Sequence, residues 1–110
     1  MKYMMFICHE PERLGEAVAR VEKDGGAWLD EMAGQGVRLD GGALRPPNEA
    51  TTVRVRGGRQ LLTDGPFTES KEAIAGFDII ECADLDEAIE IASKHPCAEV
   101  GSIELRPFWQ

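Results

Sequence analysis

The order of hydrophobic patterns along the chain constrains its fold more than any other feature of the sequence. Residues 2–8 are almost all apolar, which predicts a strand that is buried on both faces. Apolar residues then recur at helical spacing from Leu14 to Val21, and Gly25-Gly26 are expected to interrupt this helix. A second helical segment with Trp28 follows and ends near Gly34 or Gly36.

The middle of the chain has the pattern of three further strands. Residues 37–40 predict a short strand, and the glycine and proline pairs after it predict an irregular stretch. Residues 51–56 and 59–63 predict a hairpin, since Gly57-Gly58 can supply the positive φ angles of a two-residue turn.

The last third of the chain predicts a strand, a helix and a final strand. The strand covers residues 73–82, and Asp84 with Glu87 three residues later is a variant of the capping box that begins a helix. Pro96 ends this helix, and residues 102–106 form the final strand. Lys94 and His95 are expected at the C-terminus of the helix that Pro96 ends, with His95 as the helix cap.

The resulting order, with strands and helices alternating around one hairpin, predicts a single α+β domain over residues 1–110. It is the ferredoxin-like split βαβ plan, in which two helices cover one face of a mainly antiparallel sheet. The other face would stay exposed to water unless a second copy covered it. We therefore expect a symmetric homodimer.

Composition excludes several classes of function. The net charge of −8, with acidic residues spread along the chain, argues against a nucleic-acid partner. No apolar run approaches the roughly 20 residues of a membrane span, and no signal peptide is evident, which predicts a cytoplasmic protein. Three cysteines without a CxxC pair predict reduced thiols and no zinc site. We expect neither a metal nor a cofactor.

The segment with the densest chemistry is DGPFTESKE, which begins at Asp64 and is followed by AIAGFD. Asp64, Gly65 and Pro66 form a turn by composition, but Asp64 could also face a ligand. Phe67 could fill the core or stack on a ligand. The segment ends with two carboxylates and one lysine: Glu69, Lys71 and Glu72. They could form a solvated turn with a weak ion pair. Alternatively, Lys71 could bind an anionic group while a carboxylate beside it transfers a proton.

Two further candidates lie outside this segment. Arg54 shares one strand face with Thr52 and Arg56, where it could pair across strands or bind a carboxylate or phosphate. His9 follows the first strand beside Glu10, where it could cap the strand, lie exposed or line a cleft. Together with the five candidates of the DGPF segment, these two residues complete the predicted ligand site.

The run TTVRVRGGRQLLTDGPFTESKEAIAGFDIIECADLDEAIEIASKHP, closed by GSIELRPFW, resembles the DGPF branch of the YCII-related family. The resemblance begins at the MKYMMFI strand and spans nearly the whole chain. It implies a dimeric α/β-barrel, and it associates DGPF members with extracytoplasmic-function sigma factors. Some relatives are thought to act on small ring compounds through a His–Asp pair.

This chain departs from that pair. The histidine would fall near GGAWLDEM, where Ala27 and Trp28 stand, and His95 occupies the place of the aspartate. Two functions therefore stay open. The first is binding of a small, anionic or aromatic molecule in a cleft between sheet and helices, with minor acid–base activity. The alternative is a regulatory or protein-interaction module of a sigma-factor system.

Overall fold

The computed structural model describes residues 1–66 and 73–109, and its centre is a four-stranded antiparallel sheet. The sheet contains β1 (Lys2–His9), β2 (Arg38–Ala43), β5 (Ala73–Glu81) and β6 (Ser102–Pro107), in the spatial order β2-β5-β1-β6. A separate two-stranded ribbon, which we call the arm, consists of β3 (Thr51–Arg56) and β4 (Arg59–Asp64). Without the arm, this order is the ferredoxin-like plan, so the α+β prediction is confirmed.

One long helical stretch follows β1. It consists of α1 (Leu14–Arg20) and α2 (Gly26–Gly34), joined by a π-helical turn at Val21–Gly25. Gly25 and Gly26 have φ angles of −63° and −62°, so the helical backbone continues through both and the predicted interruption is wrong. Gly25 is buried, and a Cβ there would lie 3.1 Å from Val21 Cγ1. A larger side chain at Gly25 would therefore crowd Val21.

The third helix, α3 (Leu85–Ser93), begins as predicted. The Asp84 Oδ1 atom accepts a hydrogen bond from the Glu87 N–H at 2.9 Å, and Glu87 Oε2 accepts one from the Ala83 N–H at 3.0 Å. These reciprocal bonds satisfy two backbone donors at the helix N-terminus. Lys94 caps the C-terminus, and a 3-10 turn at Pro96–Ala98 leads towards β6.

The core lies between one face of the sheet and the helices. Most of its members come from β1, β5, α2 and α3, and the most enclosed are Met5, Met32, Ile80 and Ala88. On the opposite face, Met4, Phe6, Phe77 and Ile79 are only half-buried. The prediction that β1 is buried on both faces is therefore wrong for a single copy, because the helices pack on one side only.

Strand β2 is longer than predicted and includes both glycines that were expected in an irregular stretch. Gly41 pairs with Asp78 and Gly42 with Phe77 on β5. A Cβ at Gly41 would clash with Asp78 Oδ1 and lie 2.5 Å from the Phe77 carbonyl oxygen. The absence of a side chain at this position therefore allows β2 to approach β5.

The arm extends away from the rest of the molecule. Gly57 and Gly58 have φ angles of 58° and 76°, which confirms the predicted two-residue turn. The radius of gyration is 15.5 Å, whereas a compact domain of this length would have about 13 Å. The arm contributes no buried residue to the core.

Candidate functional site

A cavity of about 390 Å³ lies between the sheet and the helical stretch, beside the C-terminal end of β1. This volume falls in the range of small-molecule sites. Its walls are mainly apolar and include Ile7, Leu14, Ala17, Val18, Val21 and Leu29. Five residues with polar or charged side chains also line it: His9, Glu22, Arg38, Asp78 and His95.

His9 reaches the cavity because it ends the buried row of β1. Side chains alternate along a strand, so His9 shares the helix-covered face with Tyr3, Met5 and Ile7. Its side chain is buried, with only 4% of the residue surface exposed. The Nδ1 atom lies 3.0 Å from the Glu10 carbonyl oxygen. Since a carbonyl oxygen only accepts, Nδ1 carries the hydrogen and the neutral ring has its lone pair on Nε2.

His95 is also buried, but its Nδ1 atom has the opposite hydrogen-bonding role to that of His9. It precedes the Pro96–Ala98 turn, where its Nδ1 atom accepts a hydrogen bond from the Cys97 N–H at 3.1 Å. The ring meets Trp28 edge-on, with centroids 4.8 Å apart. Burial lowers the pKa of His95 to about 4, so the ring is neutral at pH 7 and its hydrogen lies on Nε2. The prediction that His95 caps α3 is wrong, because Lys94 holds that position.

An ion pair joins two strands at the cavity wall. Arg38 Nε on β2 lies 2.7 Å from Asp78 Oδ1 on β5. Burial raises the pKa of Asp78 and outweighs the opposite effect of the guanidinium. Within residues 1–66 and 73–109, the Nη atoms of Arg38 have no hydrogen-bond partner. They remain available to an anion in the cavity, because guanidinium groups pair well with carboxylates.

Sequence reasoning did not identify Arg38 or Asp78, although one sign of the pair was present. Asp78 shares a strand face with Ile80, which is fully enclosed. A carboxylate on a buried strand face requires a partner, and arginine is the residue best suited to it. The pattern could not show which arginine, because Arg38 and Asp78 are 40 positions apart.

The predicted ligand residues fall in three places. His9 lines the cavity, whereas Arg54 and Asp64 lie on the arm and do not line it. Asp64 is exposed and Arg54 is half-buried. The other four candidates, Phe67, Glu69, Lys71 and Glu72, lie outside the described residues. Binding of a ligand by any of the seven stays a prediction.

The turn after the arm begins as its composition predicts. Gly65 has a φ angle of 102°, and its carbonyl oxygen accepts a hydrogen bond from Thr52 Oγ1 at 2.8 Å. The Gly65 N–H donates to the Ala50 carbonyl oxygen at 2.7 Å. These bonds close the open end of the arm, as a positive-φ glycine turn can.

Some predictions about composition can be compared with the described part of the chain. Cys8, Cys82 and Cys97 form no disulfide, and the last two are buried. No described helix combines the length and apolar character that crossing a bilayer requires. Among the described residues, no three side chains of the metal-binding types gather at one point. Trp28 packs in the core, whereas Trp109 is exposed.

Comparisons with known proteins agree with this architecture. The sequence model of the YCII-related domain matches residues 1–110. An uncharacterised protein of Rhizobium meliloti (strain 1021) is 35% identical over 110 residues, which cover 93% of this chain and 88% of that protein. A solved structure with a TM-score of 0.56 and 15% identity covers 99% of this chain and 94% of its own. That protein is 5-chloro-2-hydroxyhydroquinone dehydrochlorinase from Burkholderia phenoliruptrix AC1100, in complex with 2,5-dihydroxybenzoquinone.

At 15% identity the structural likeness shows a shared fold. Assignment to the DGPF branch and the alternative function in sigma-factor regulation both stay predictions.

Proposed function

The chain belongs to the YCII-related family, and from this premise we propose that it binds a small, anionic ring compound in the cavity between sheet and helices. The observation that carries the proposal is the Arg38 guanidinium in the wall of a mainly apolar cavity of about 390 Å³. An apolar cleft with a few convergent polar groups is the usual form of a small-molecule site. Asp78 holds Nε of Arg38 and so fixes the direction of its Nη atoms.

The ring character of the ligand has two supports. The cavity walls come mainly from aliphatic side chains, which favour an apolar ligand body. The dehydrochlorinase that shares this fold was solved with 2,5-dihydroxybenzoquinone, a ring that carries oxygen substituents. A minor acid–base activity is part of the proposal, because the His9 imidazole lies in the same cavity and imidazole is a common general base. A cytoplasmic location accords with the three free thiols.

Binding to Arg38 can be tested by calorimetry with benzoate and its hydroxylated derivatives as probes. We expect the wild-type protein to bind at least one probe and Arg38→Gln to weaken that binding roughly tenfold or more, since a charge-assisted hydrogen bond is lost. Arg45→Gln is the matched control, because Arg45 is exposed, pairs with Glu49 and does not line the cavity. Equal affinities of the two variants would contradict the role of Arg38.

Arg38→Gln alone leaves the buried Asp78 carboxylate without its cation, which destabilises the fold. The double variant Arg38→Gln/Asp78→Asn removes both charges and keeps a hydrogen-bonding pair of similar size. We expect it to fold and still to bind the probes weakly. If the double variant binds benzoate as tightly as the wild-type protein, or no probe binds at all, the proposed function is wrong.

We also propose that the protein forms a homodimer through the arm. Val53, Val55 and Leu62 lie on one face of the arm and are 58%, 59% and 63% exposed. An isolated two-stranded ribbon with an apolar face is only marginally stable in water. A second copy that covered this apolar face would bury the three side chains and stabilise the ribbon.

Sedimentation velocity tests this proposal. We expect the wild-type protein to sediment as a dimer at micromolar concentration and Val53→Lys/Leu62→Lys to sediment as a monomer. Leu61→Lys is the matched control, because Leu61 lies on the opposite face of the arm, across from Arg54. A wild-type protein that remains a monomer at 100 µM would contradict the proposal, as would a control variant that also loses the dimer.

A further inference from the structure

We infer that His9 and His95 form a pair that recognises a hydroxyl group on the bound molecule. His9 accepts a hydrogen bond from the hydroxyl, and His95 donates one to its oxygen. The inference rests on the proposed function and narrows its ligand to aromatic hydroxy acids. The two histidines are the only ones in the chain, and both line the same cavity.

The backbone fixes the two rings in opposite tautomers. His9 uses Nδ1 as a donor to the Glu10 carbonyl oxygen, so its Nε2 can only accept when the ring is neutral. His95 uses Nδ1 as an acceptor from the Cys97 N–H, so its Nε2 can only donate. One histidine therefore offers an acceptor and the other a donor.

Both Nε2 atoms have access to open space. Among the described residues, neither Nε2 atom has a hydrogen-bond partner. In the same residues, every side-chain nitrogen or oxygen that is closed off from solvent does have a hydrogen-bond partner. The two Nε2 atoms are therefore not sealed within the protein. His9 and His95 are only 4% and 9% exposed, and the cavity they share is where a ligand could reach both.

A hydroxyl group matches this arrangement because it donates one hydrogen bond and accepts others. A ketone or an ether could satisfy only His95, and an ammonium group only His9. The apolar walls accommodate an aromatic ring, and the Nη atoms of Arg38 accommodate a carboxylate. A ring with a hydroxyl and a carboxylate therefore matches the apolar walls and uses all three polar groups.

The tautomers can be measured directly in the wild-type protein without any ligand. Long-range ¹H–¹⁵N NMR spectra of the imidazole rings at pH 7.5 distinguish a hydrogen on Nδ1 from one on Nε2. We expect His9 to carry its hydrogen on Nδ1 and His95 on Nε2. The same tautomer in both rings would overturn the inference, whatever the outcome of any binding experiment.

Asparagine variants separate the ligand-facing nitrogen from the structural one. In His9→Asn the amide can still donate to the Glu10 carbonyl oxygen, and in His95→Asn the amide oxygen can still accept from the Cys97 N–H. Both changes remove Nε2. The probes are the three hydroxybenzoate isomers, with benzoate as the reference that lacks the hydroxyl.

We expect the wild-type protein to bind at least one hydroxybenzoate roughly three- to tenfold more tightly than benzoate, from a neutral hydrogen bond. Each asparagine variant should lose this preference while its affinity for benzoate changes little. If the preference for the hydroxyl persists in either variant, the inference that the two histidines act as a pair is wrong. This outcome is expected if His95 Nε2 opens only to the polar cleft that His95 shares with Arg20 and Lys94. Wild-type binding of benzoate without a hydroxyl preference overturns this inference alone, whereas absence of binding to every probe overturns the proposed function.

Discussion

The body of the molecule, which is the four-stranded sheet with its three helices, differs from the arm in what determines its structure. In the body, a row of side chains on β1 and β5 is buried against α2 and α3. In the arm, no residue of β3 or β4 is buried. Burial fixes the register of a strand, because a shift by one residue would turn its apolar row to the other face. The structure of the arm depends on the hydrogen bonds between β3 and β4 and on the turn that joins them.

The same difference separates the cavity from the sequence motif. Four polar side chains of the cavity come from four parts of the body: His9, Asp78 and His95, which are buried, and Arg38, which is half-buried. The recognisable DGPF motif begins at Asp64, where the arm ends. A motif that identifies a family therefore need not be the part of the chain that lines the cavity.

The largest expected effect tests whether the free energy of unfolding depends on the body and not on the arm. Ile80 is fully buried, so Ile80→Ala should lower the free energy of unfolding by about 2–5 kcal/mol. Leu62→Ala in the arm should change it by less than about 0.5 kcal/mol under conditions where the protein is a monomer. Urea denaturation of both variants measures the difference. Equal losses would mean that the arm is as much a part of the cooperative core as β5.

The second prediction concerns the pH dependence of the body. The pKa of His95 falls from 6.5 in the unfolded chain to about 4 in the folded protein. Between these values the unfolded state binds more protons, so stability decreases as the pH falls from about 6.5 to 4. This contribution is on the order of 3 kcal/mol and does not grow further below pH 4.

The control for this prediction is His95→Asn, measured by urea denaturation from pH 7 to pH 4. Asp78 acts in the opposite direction, because its raised pKa lets the folded state take up a proton more readily as the pH falls. Asp78 is present in both proteins, so its contribution largely cancels in the difference. The difference in stability between wild type and variant should shrink as the pH falls. A difference that stays constant would show that the pKa of His95 is the same in the folded and unfolded states, and the prediction would be wrong.

The third prediction uses two neighbouring glycines on the edge of the body. A Cβ at Gly41 would meet Asp78, the Phe77 carbonyl oxygen and an Nη atom of Arg38, whereas a Cβ at Gly42 would meet nothing within 4 Å. Gly41→Ala should therefore destabilise the fold by about 1–3 kcal/mol and weaken probe binding through Arg38. Gly42→Ala should be nearly neutral in thermal unfolding. Similar effects of both changes would show that β2 adapts to a side chain at Gly41.

The sequence predicted those parts of the fold that depend on neighbouring residues. The Asp84–Glu87 cap and the Gly57–Gly58 turn involve groups within four positions of each other, and both are confirmed. The ferredoxin-like order followed from the alternation of strand and helix patterns. At the predicted break, Gly25 and Gly26 keep helical φ angles and a π-helical turn joins α1 to α2, which local propensity does not reveal.

The site was less predictable because it depends on contacts between distant residues. His9 was identified from its place after an apolar strand, which is a local feature. His95 was assigned to a helix end by its position beside Lys94, but contact with Trp28 and burial give it a different environment. Such contacts depend on which helix covers which end of the sheet, and no periodicity in the sequence contains that information.

The smallest expected effect lies in the arm and tests whether its structure is local. Gly57 has a φ angle of 58°, and an alanine there would be strained by about 1 kcal/mol because of its Cβ. Since the arm contributes nothing to the core, Gly57→Ala should increase hydrogen exchange in β3 and β4 without changing exchange at Ile80 or urea unfolding of the monomer. Gly42→Ala, which has no positive φ angle, should leave the arm unchanged. Faster exchange throughout β5 would mean that the arm and the body unfold as one unit, and the distinction between the two regions would then be wrong.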